Sequence, residues 1–399
     1  MNPLLNSVNL ADQADWKSMA HRLSALVAEH ANANESERNI AGTVIDSLVE
    51  SGLVRMMLPP HLGGCQANLL EMSGAIETLA RADASTAWCL AQAITSTHAA
   101  GYLRPEIADQ VFCNTNGVIA WGPPGGSSRA VAVEGGYRIT GRWRFYSGWK
   151  HADWMGAHCV VYDGDQLRRD PQGRPINRTG LFRRDASKMV DMWRVTGLRG
   201  TGSDDLVLED FLVPHEFTTW RDSQSDRLLE DPFFSLPMLT LYGLSFGSVA
   251  LGLAGACLDA FMDLAGKKKP GGGLGSSLTL GENAVVQCRL AQSRMKLDAA
   301  TAYFNEMLQE VWALVCANHV LSLDVRARVR LAIMCVMTES CAVVDFTHNA
   351  AGTTAVFEGS PFERRFRDIH TLTAHGQAQL SNFEAAGLAL MGVEPQQRL

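Results

Sequence analysis

Apolar residues recur at three- and four-residue spacing from Asp15 to about Leu103, most clearly in MAHRLSALVAEHA, IAGTVIDSLVESGLV and LLEMSGAIETLARA. That spacing predicts a run of helices. Gly52 and the LPPHLGG stretch break it, and Asp83 and Ser85 are natural caps for a further helix in STAWCLAQAITSTHAAGYL. From Val118 the period drops to two. VIAWG, AVAVEGGYRITGRWRFYSG, WMGAHCVVYDG and DLVLEDFLVP read as strands parted by glycine and aspartate turns, with a hairpin at Gly135 and Gly136. Beyond about Pro232 the helical period returns, around Leu251 to Ala265, Asn283 to His319, Asp324 to Gly352 and His375 to Met391. Helices, then strands, then helices is not an alternating βαβ order, so a Rossmann sheet is not expected. The fold class is therefore α+β, mainly α, in three units: 1–116 helical, 117–225 an antiparallel barrel or sandwich, and 226–399 a helical bundle.

A chain of 399 residues exceeds one ordinary core and has interior to spare for a cofactor. The net charge of −7 comes without a basic stripe, which argues against nucleic acid as a partner. Nine cysteines are scattered without a CxxC pair or a close Cys/His cluster, so neither a metal site nor a disulfide framework is signalled. A reducing cytoplasm fits that usage, and the early acids of MNPLLNSVNLADQADW do not read as a secretory signal. Pro232 to Leu258 carries no charge and is long enough to span a bilayer. Its prolines, hydroxyls and glycines, and the acids Asp259 and Asp263 that follow, predict a buried bundle helix rather than a membrane span. The connector KKKPGGGLGSS follows a helix rather than a strand, so it reads as a solvated loop and not a dinucleotide fingerprint.

The stretch GRWRFYSGWKHADW carries candidate chemistry. Alternation places Trp143, Phe145 and Ser147 on one face, a flat apolar wall ending in a hydroxyl. Such a wall suits a planar heteroaromatic cofactor. It also suits an ordinary half-buried strand, because aromatic residues are good strand formers.

Four segments in order, ESGLVRMMLPPHLGG, WRFYSG, WRVTGLRGTGSDDLVLEDFLVP and FERRFRDIH, resemble the acyl-CoA dehydrogenase superfamily over nearly the whole chain. The resemblance implies an N-terminal helical domain, a central β-domain and a C-terminal four-helix bundle, assembled as a homotetramer, with flavin between β-domain and bundle. Many members abstract an α-proton with a glutamate in a run shortly after the arginine-aspartate pair. Here that run is HTLTAHGQ and the position falls on Gly376, which has no proton-accepting side chain. SGWKHADW and the histidine after the pair are instead similar to the flavin-dependent monooxygenases of the fold, the oxygenase components of two-component systems.

That resemblance implies reduced FMN or FAD as co-substrate, O2, a C4a-hydroperoxide, a small aromatic or heteroaromatic substrate and a separate NAD(P)H-dependent flavin reductase, since no nicotinamide-binding unit is visible in the chain. It assigns Ser147 to the flavin N5 edge and His375 to the peroxide or the substrate hydroxyl, an imidazole being able to act in either direction near neutral pH. His98 is similar to a family histidine on the oxygen-reacting side, with Tyr102 one turn on. Arg289 resembles an arginine that meets the flavin phosphate, and Thr353 and Thr354 a bundle turn that touches the cofactor. Trp121 stands where relatives bond the flavin through hydroxyl or amide side chains, and Pro124 in the same loop has no N–H to offer. Trp88, His98, Trp121, Phe346 and Phe357 are expected to wall an apolar planar guest. The competing readings are an acyl-CoA dehydrogenase or oxidase with a displaced base, Glu358, Glu363 or Glu384, and a flavin-binding scaffold without turnover.

Overall fold

The structure, a computed structural model, describes residues 15–113, 115–126, 128–171, 173–221, 223–269 and 278–395. The first fourteen residues and most of the KKKPGGGLGSS connector, on which expectations were placed above, lie outside these. Five helices open the chain: α1 (Trp16–Glu37), α2 (Gly42–Glu50), α3 (Leu69–Ala82), α4 (Ala84–Ser96) and α5 (Pro105–Phe112). Their starts follow local chemistry. Asn68 and Glu71 form a reciprocal capping box on α3, and the Asp83 carboxylate accepts the Thr86 N–H at 3.0 Å to begin α4. After Ser96 the chain tightens into a 3-10 helix, Thr97–Tyr102.

Nine strands follow: β1 (Ile119–Trp121), β2 (Arg129–Val133), β3 (Gly136–Tyr146), β4 (Trp154–Asp163), β5 (Gln166–Leu167), β6 (Asn177–Arg183), β7 (Lys188–Val190), β8 (Asp204–Pro214) and β9 (Thr218–Thr219). They form one sheet in the order β7-β8-β3-β2-β4-β6-β9, with β1 and β5 also paired to β4. The sheet is mixed, which corrects the expectation of an antiparallel one: β1 and β2 both run parallel to β4. Chain parity explains it. The tight turn makes β2 and β3 antiparallel, and the longer link through Ser147–Asp153 carries β4 past β3 to the far side of β2, where it runs the same way as β2.

The helical half contains α6 (Met238–Ala265), α7 (Ala284–Cys316), α8 (Leu323–Ala351), α9 (Pro361–Thr373) and α10 (Ser381–Leu390). Among the described residues α6 alone is long and apolar enough to cross a membrane, and it is largely buried against α3 and α8. A Cβ at Gly252 would stand 2.2 Å from the Glu77 carbonyl oxygen of α3, so the two helices meet backbone to backbone. Its smallness is a packing requirement, as expected for a helix enclosed on all sides.

Two of the segments that carry the family resemblance meet in the structure. The Leu198 N–H of the GLRGTGSDD element donates to the buried Asp368 carboxylate of FRDIH at 2.6 Å, and a Cβ on Gly197 would stand 2.1 Å from the Arg367 carbonyl oxygen. Asp204 accepts from the Met192 and Trp193 N–H groups at 3.0 and 3.1 Å and from the Trp149 indole at 3.1 Å. These bonds fix the loop that presents Thr201 and Ser203 to the interior.

Candidate active site

A cavity of about 380 Å³ opens between the sheet, α4, α6 and the turn after α9. Trp88 of α4 stacks on Phe246 of α6 with ring centroids 4.1 Å apart and 15° between planes. The His375 ring stands edge-on to both, at 5.6 and 5.0 Å. On the opposite side Trp121 ends β1, its indole N–H donating to the Tyr242 hydroxyl at 2.6 Å. The loop after it lies flat on β3, since a Cβ on Gly122 would come within 1.8 Å of the Arg144 carbonyl oxygen.

The aromatic strand departs from simple alternation. A bulge lies between Trp143 and Tyr146, with Phe145 at φ 68°. The extra residue shifts the pleat, so Trp143 and Tyr146 both turn into the core while Phe145 is half exposed at the cavity rim. The expected row of Trp143, Phe145 and Ser147 on one face is therefore corrected. Trp143 is sheet core, its indole N–H donating to the His158 carbonyl at 2.7 Å, and it is no part of the cavity wall.

Ser147 lies on the cavity wall inside an ordered line of hydroxyls. Thr201 donates to the Leu198 carbonyl at 2.8 Å, which uses its single proton. Ser203, 2.7 Å away, must then donate to Thr201, and Ser147, 2.7 Å from Ser203, must donate to Ser203. Trp88 donates its indole N–H to Ser147 at 3.1 Å. The Ser147 proton is thus committed inward, and the hydroxyl faces the cavity as an acceptor.

His375 caps the turn after α9, its Nδ1 accepting the Gln377 N–H at 3.2 Å. Burial holds its pKa down to about 4, so the ring is neutral with its hydrogen on Nε2. It enters as a donor, which narrows the two-way role expected from its residue type. Gln377 spans the site's floor: its side-chain N–H donates to the Leu239 carbonyl at 3.3 Å and its Oε1 accepts from the buried Arg330, whose pKa burial lowers to about 10.

Of the residues singled out from sequence, Trp88, Trp121, Phe145, Ser147 and His375 meet at this cavity. His98 and Tyr102 do share a face, with ring centroids 5.4 Å apart, but that face packs on Phe233 and Phe234. The tighter turn of the 3-10 helix puts them in the interior rather than on the cavity wall. The Tyr102 hydroxyl donates to the Phe234 carbonyl, and burial, with Arg221 adding, lowers the His98 pKa to about 3. Arg289 lies 5.6 Å over Phe346 in a second apolar cluster with Phe261. Thr354 accepts from Lys268 at 2.7 Å in the turn Gly352–Val356 that also holds Thr353, and Phe357 is exposed. None of these seven, Phe346 included, lines the cavity of its own chain.

Sequence reasoning missed His158, Arg178, Arg221 and Tyr242, all on the cavity wall. His158 had a faint signal as a polar residue inside the apolar strand WMGAHCVV. Burial, then Arg221, pushes its pKa well down. Ser203 and Thr201 lay within a quoted motif without being assigned. Packing also gathers Cys341, Asp345 and His370 across α8 and α9, a cluster that residues 29 positions apart could not signal. There His370 Nε2 is 2.9 Å from the Asp345 carboxylate.

The chain matches two profiles of one family, described as "Acyl-CoA dehydrogenase, N-terminal domain" over residues 11–103 and "Acyl-CoA dehydrogenase, C-terminal domain" over residues 244–380. It is 28% identical over 363 residues to an indole-3-acetate monooxygenase of Pseudomonas putida, covering 90% of each chain. It is 26% identical over 367 residues to the flavin-dependent monooxygenase oxygenase subunit HsaA of Rhodococcus jostii, covering 89% of this chain and 93% of that one. Among solved structures, XiaF from Streptomyces sp. in complex with FADH2 and glycerol superposes with a TM-score of 0.86 at 22% identity over 96% of each chain, a likeness of fold.

Proposed function

From a chain that belongs to the acyl-CoA dehydrogenase superfamily, we infer the oxygenase component of a two-component flavin-dependent monooxygenase, acting on a small aromatic or heteroaromatic compound. The observation that carries this reading is the polarity of the hydroxyl line. Ser147 offers the cavity an acceptor, which suits the N5–H of a reduced flavin and not the bare N5 of an oxidised one. FMN and FAD fit equally, because the ring alone is addressed here. Reduced flavin supplies the electrons that activate dioxygen, so that one oxygen atom enters the substrate and the other leaves as water.

The chain's own residues supply the setting. Ser147 orients the flavin edge, and His375 donates from Nε2 to oxygen or to a substrate hydroxyl. Trp88, Phe246 and Trp121 keep the space dry and flat. α-Proton abstraction finds no carboxylate base: among the described residues no Asp or Glu lines the cavity. Of the candidate bases, Glu363 is paired with Arg367, and Glu358 and Glu384 are exposed.

The three-unit division at 116/117 and 225/226, the closure of the sheet as a barrel and a four-helix bundle of α6, α7, α8 and α10 belong to the same proposal. So does a homotetramer. Arg289, Thr353 and Thr354 lie away from the cavity of their own chain, so their flavin contacts require a neighbouring copy. The test is to supply the protein with a generic flavin reductase, NADH and a panel of aromatic compounds under 18O2, reading products by mass. Incorporation of one labelled atom is expected. Turnover of acyl-CoA with no labelled product would overturn the reading.

A further inference from the structure

The cavity carries charge of one sign. Arg178 and Arg221 line it without an acidic neighbour among the described lining residues, and its two histidines are held neutral. Arg178 is engaged: it donates to the Thr218 hydroxyl at 3.0 Å. Arg221 lacks comparable partners. Its guanidinium lies 4.0 Å over the Trp121 ring, Nη2 is 3.4 Å from His158 Nε2, Nη1 is 3.6 Å from the Met238 sulfur, and the buried Nε has no hydrogen-bond partner.

These contacts hold the guanidinium without neutralising it. Because arginine only donates, His158 Nε2 is the acceptor, and its Nδ1–H must donate to the Thr179 hydroxyl at 2.6 Å. The imidazole is thereby fixed as a prop for Arg221. Arg221 also stands, with Met238 and Leu239, at the junction with a second cavity of about 580 Å³, whose lining sets Arg174, Arg227 and Arg326 against Glu230 and Glu394 and where Arg227 Nη1 is likewise buried without a partner. A planar fork of five donors, stacked on an indole and short of acceptors, is the group that recognises a carboxylate.

We propose that Arg221 anchors a carboxylate on the aromatic guest, so that the substrate class is the aromatic carboxylic acids, with the ring in the Trp88 and Trp121 cavity and the acid group toward the second cavity. This deepens the monooxygenase reading and rests on it for the word substrate. The same fork could hold the phosphate of the flavin, and the experiment separates the two.

Binding is measured by calorimetry on flavin-free protein, without oxygen or turnover, so a failed turnover assay and a failed binding assay indict different conclusions. The probes are indole-3-acetate and phenylacetate against their neutral amides. The wild type should bind at least one acid more tightly than its amide by about tenfold to a hundredfold, the worth of a hydrogen bond to a charged group. Arg221→Gln should remove that preference while leaving amide affinity within about twofold, and Arg221→Lys should restore part of it. Equal affinity for acid and amide in both pairs would overturn the proposal. So would loss of the preference in Arg178→Gln rather than in Arg221→Gln. A third overturning result is an Arg221→Gln protein that weakens FMN but not riboflavin while keeping the acid preference, which would assign the fork to the flavin phosphate.

Discussion

Ser203 touches neither the proposed flavin nor the substrate, yet its removal should change which redox state of the flavin is bound. In the wild type the Ser147 hydroxyl has its proton on Ser203 and one lone pair on the Trp88 N–H, leaving the second lone pair for the cavity. Opposite a reduced N5–H this forms a hydrogen bond worth about 1 kcal/mol net, and opposite an oxidised N5 it sets two acceptors against each other. For a two-electron couple about 1.4 kcal/mol corresponds to about 30 mV, so a hydroxyl set against N5 as proposed should raise the bound flavin's potential by roughly 20 to 30 mV. Ser147→Ala should lower the potential by that amount. Ser203→Ala should lower it comparably although Ser147 remains, because the freed proton can then turn to the oxidised N5. Dye-coupled redox titration of bound flavin reads both, and thermal melts confirm that the variants fold despite the Trp88 N–H left unpaired in Ser147→Ala. A potential that is unchanged or raised in Ser203→Ala would refute the ordered polarity.

His375→Ala should slow oxygen transfer by about a hundredfold, the low end for loss of a positioned proton donor, so flavin is oxidised with little product. Since the ring's pKa is held near 4, wild-type coupling should show no His375 inflection between pH 5.5 and 8, and an inflection abolished by the variant would contradict a neutral imidazole. Burial raises the Asp368 carboxyl to about 7 from an ordinary value of 3.8. The native state therefore holds a proton that the unfolded chain releases, and this contribution to stability is present below about pH 4 and lost as pH rises to about 7, by up to about 1.4 kcal/mol per pH unit. Asp368→Asn should flatten that slope in urea melts at pH 5 and 7.5, and an unchanged slope would locate the titration elsewhere. Gly122→Ala forces a Cβ into a backbone oxygen and should cost about 4 kcal/mol or more, read as a lowered melting temperature; a wild-type melt would show that the loop can move.

Element type was largely legible because period carries it. The stretch LLEMSGAIETLARA became α3 residue for residue, and VIAWG, WMGAHCVVYDG and DLVLEDFLVP became β1, β4 and β8. Strand β6, NRTGLFR, was not legible, since asparagine, arginine and glycine interrupt its alternation although four of its residues are buried. The direction of pairing was hidden too, being set by which side of β2 the chain reaches after Ser147. At the candidate site, residues inside compact motifs were singled out, as with Ser147 and His375, and the structure brings these two to one cavity. Arg221 and His158 were not, because they lie 63 positions apart and acquire meaning only when the sheet brings them together. The GLRGTGSDD segment was the most recognisable of all, and in the structure it has two roles that the sequence did not separate: the Leu198 to Asp368 bond makes it a joint, and Thr201 and Ser203 reach Ser147.

The enclosed helix α6 has a further consequence during synthesis. It lies between α3, made before it, and α8, made after it. At ~5 to 20 residues per second, its apolar face toward α8 waits roughly 4 to 17 s for residue 351 to be polymerised. For that interval the ribosome displays a segment with the length and hydropathy of a membrane span. The expected consequence is a need for holdase chaperones at one defined stage, after α6 emerges and before α8 does. Released chains truncated at residue 270 should bind them, and pellet without them, far more than chains ending at 240 or 395.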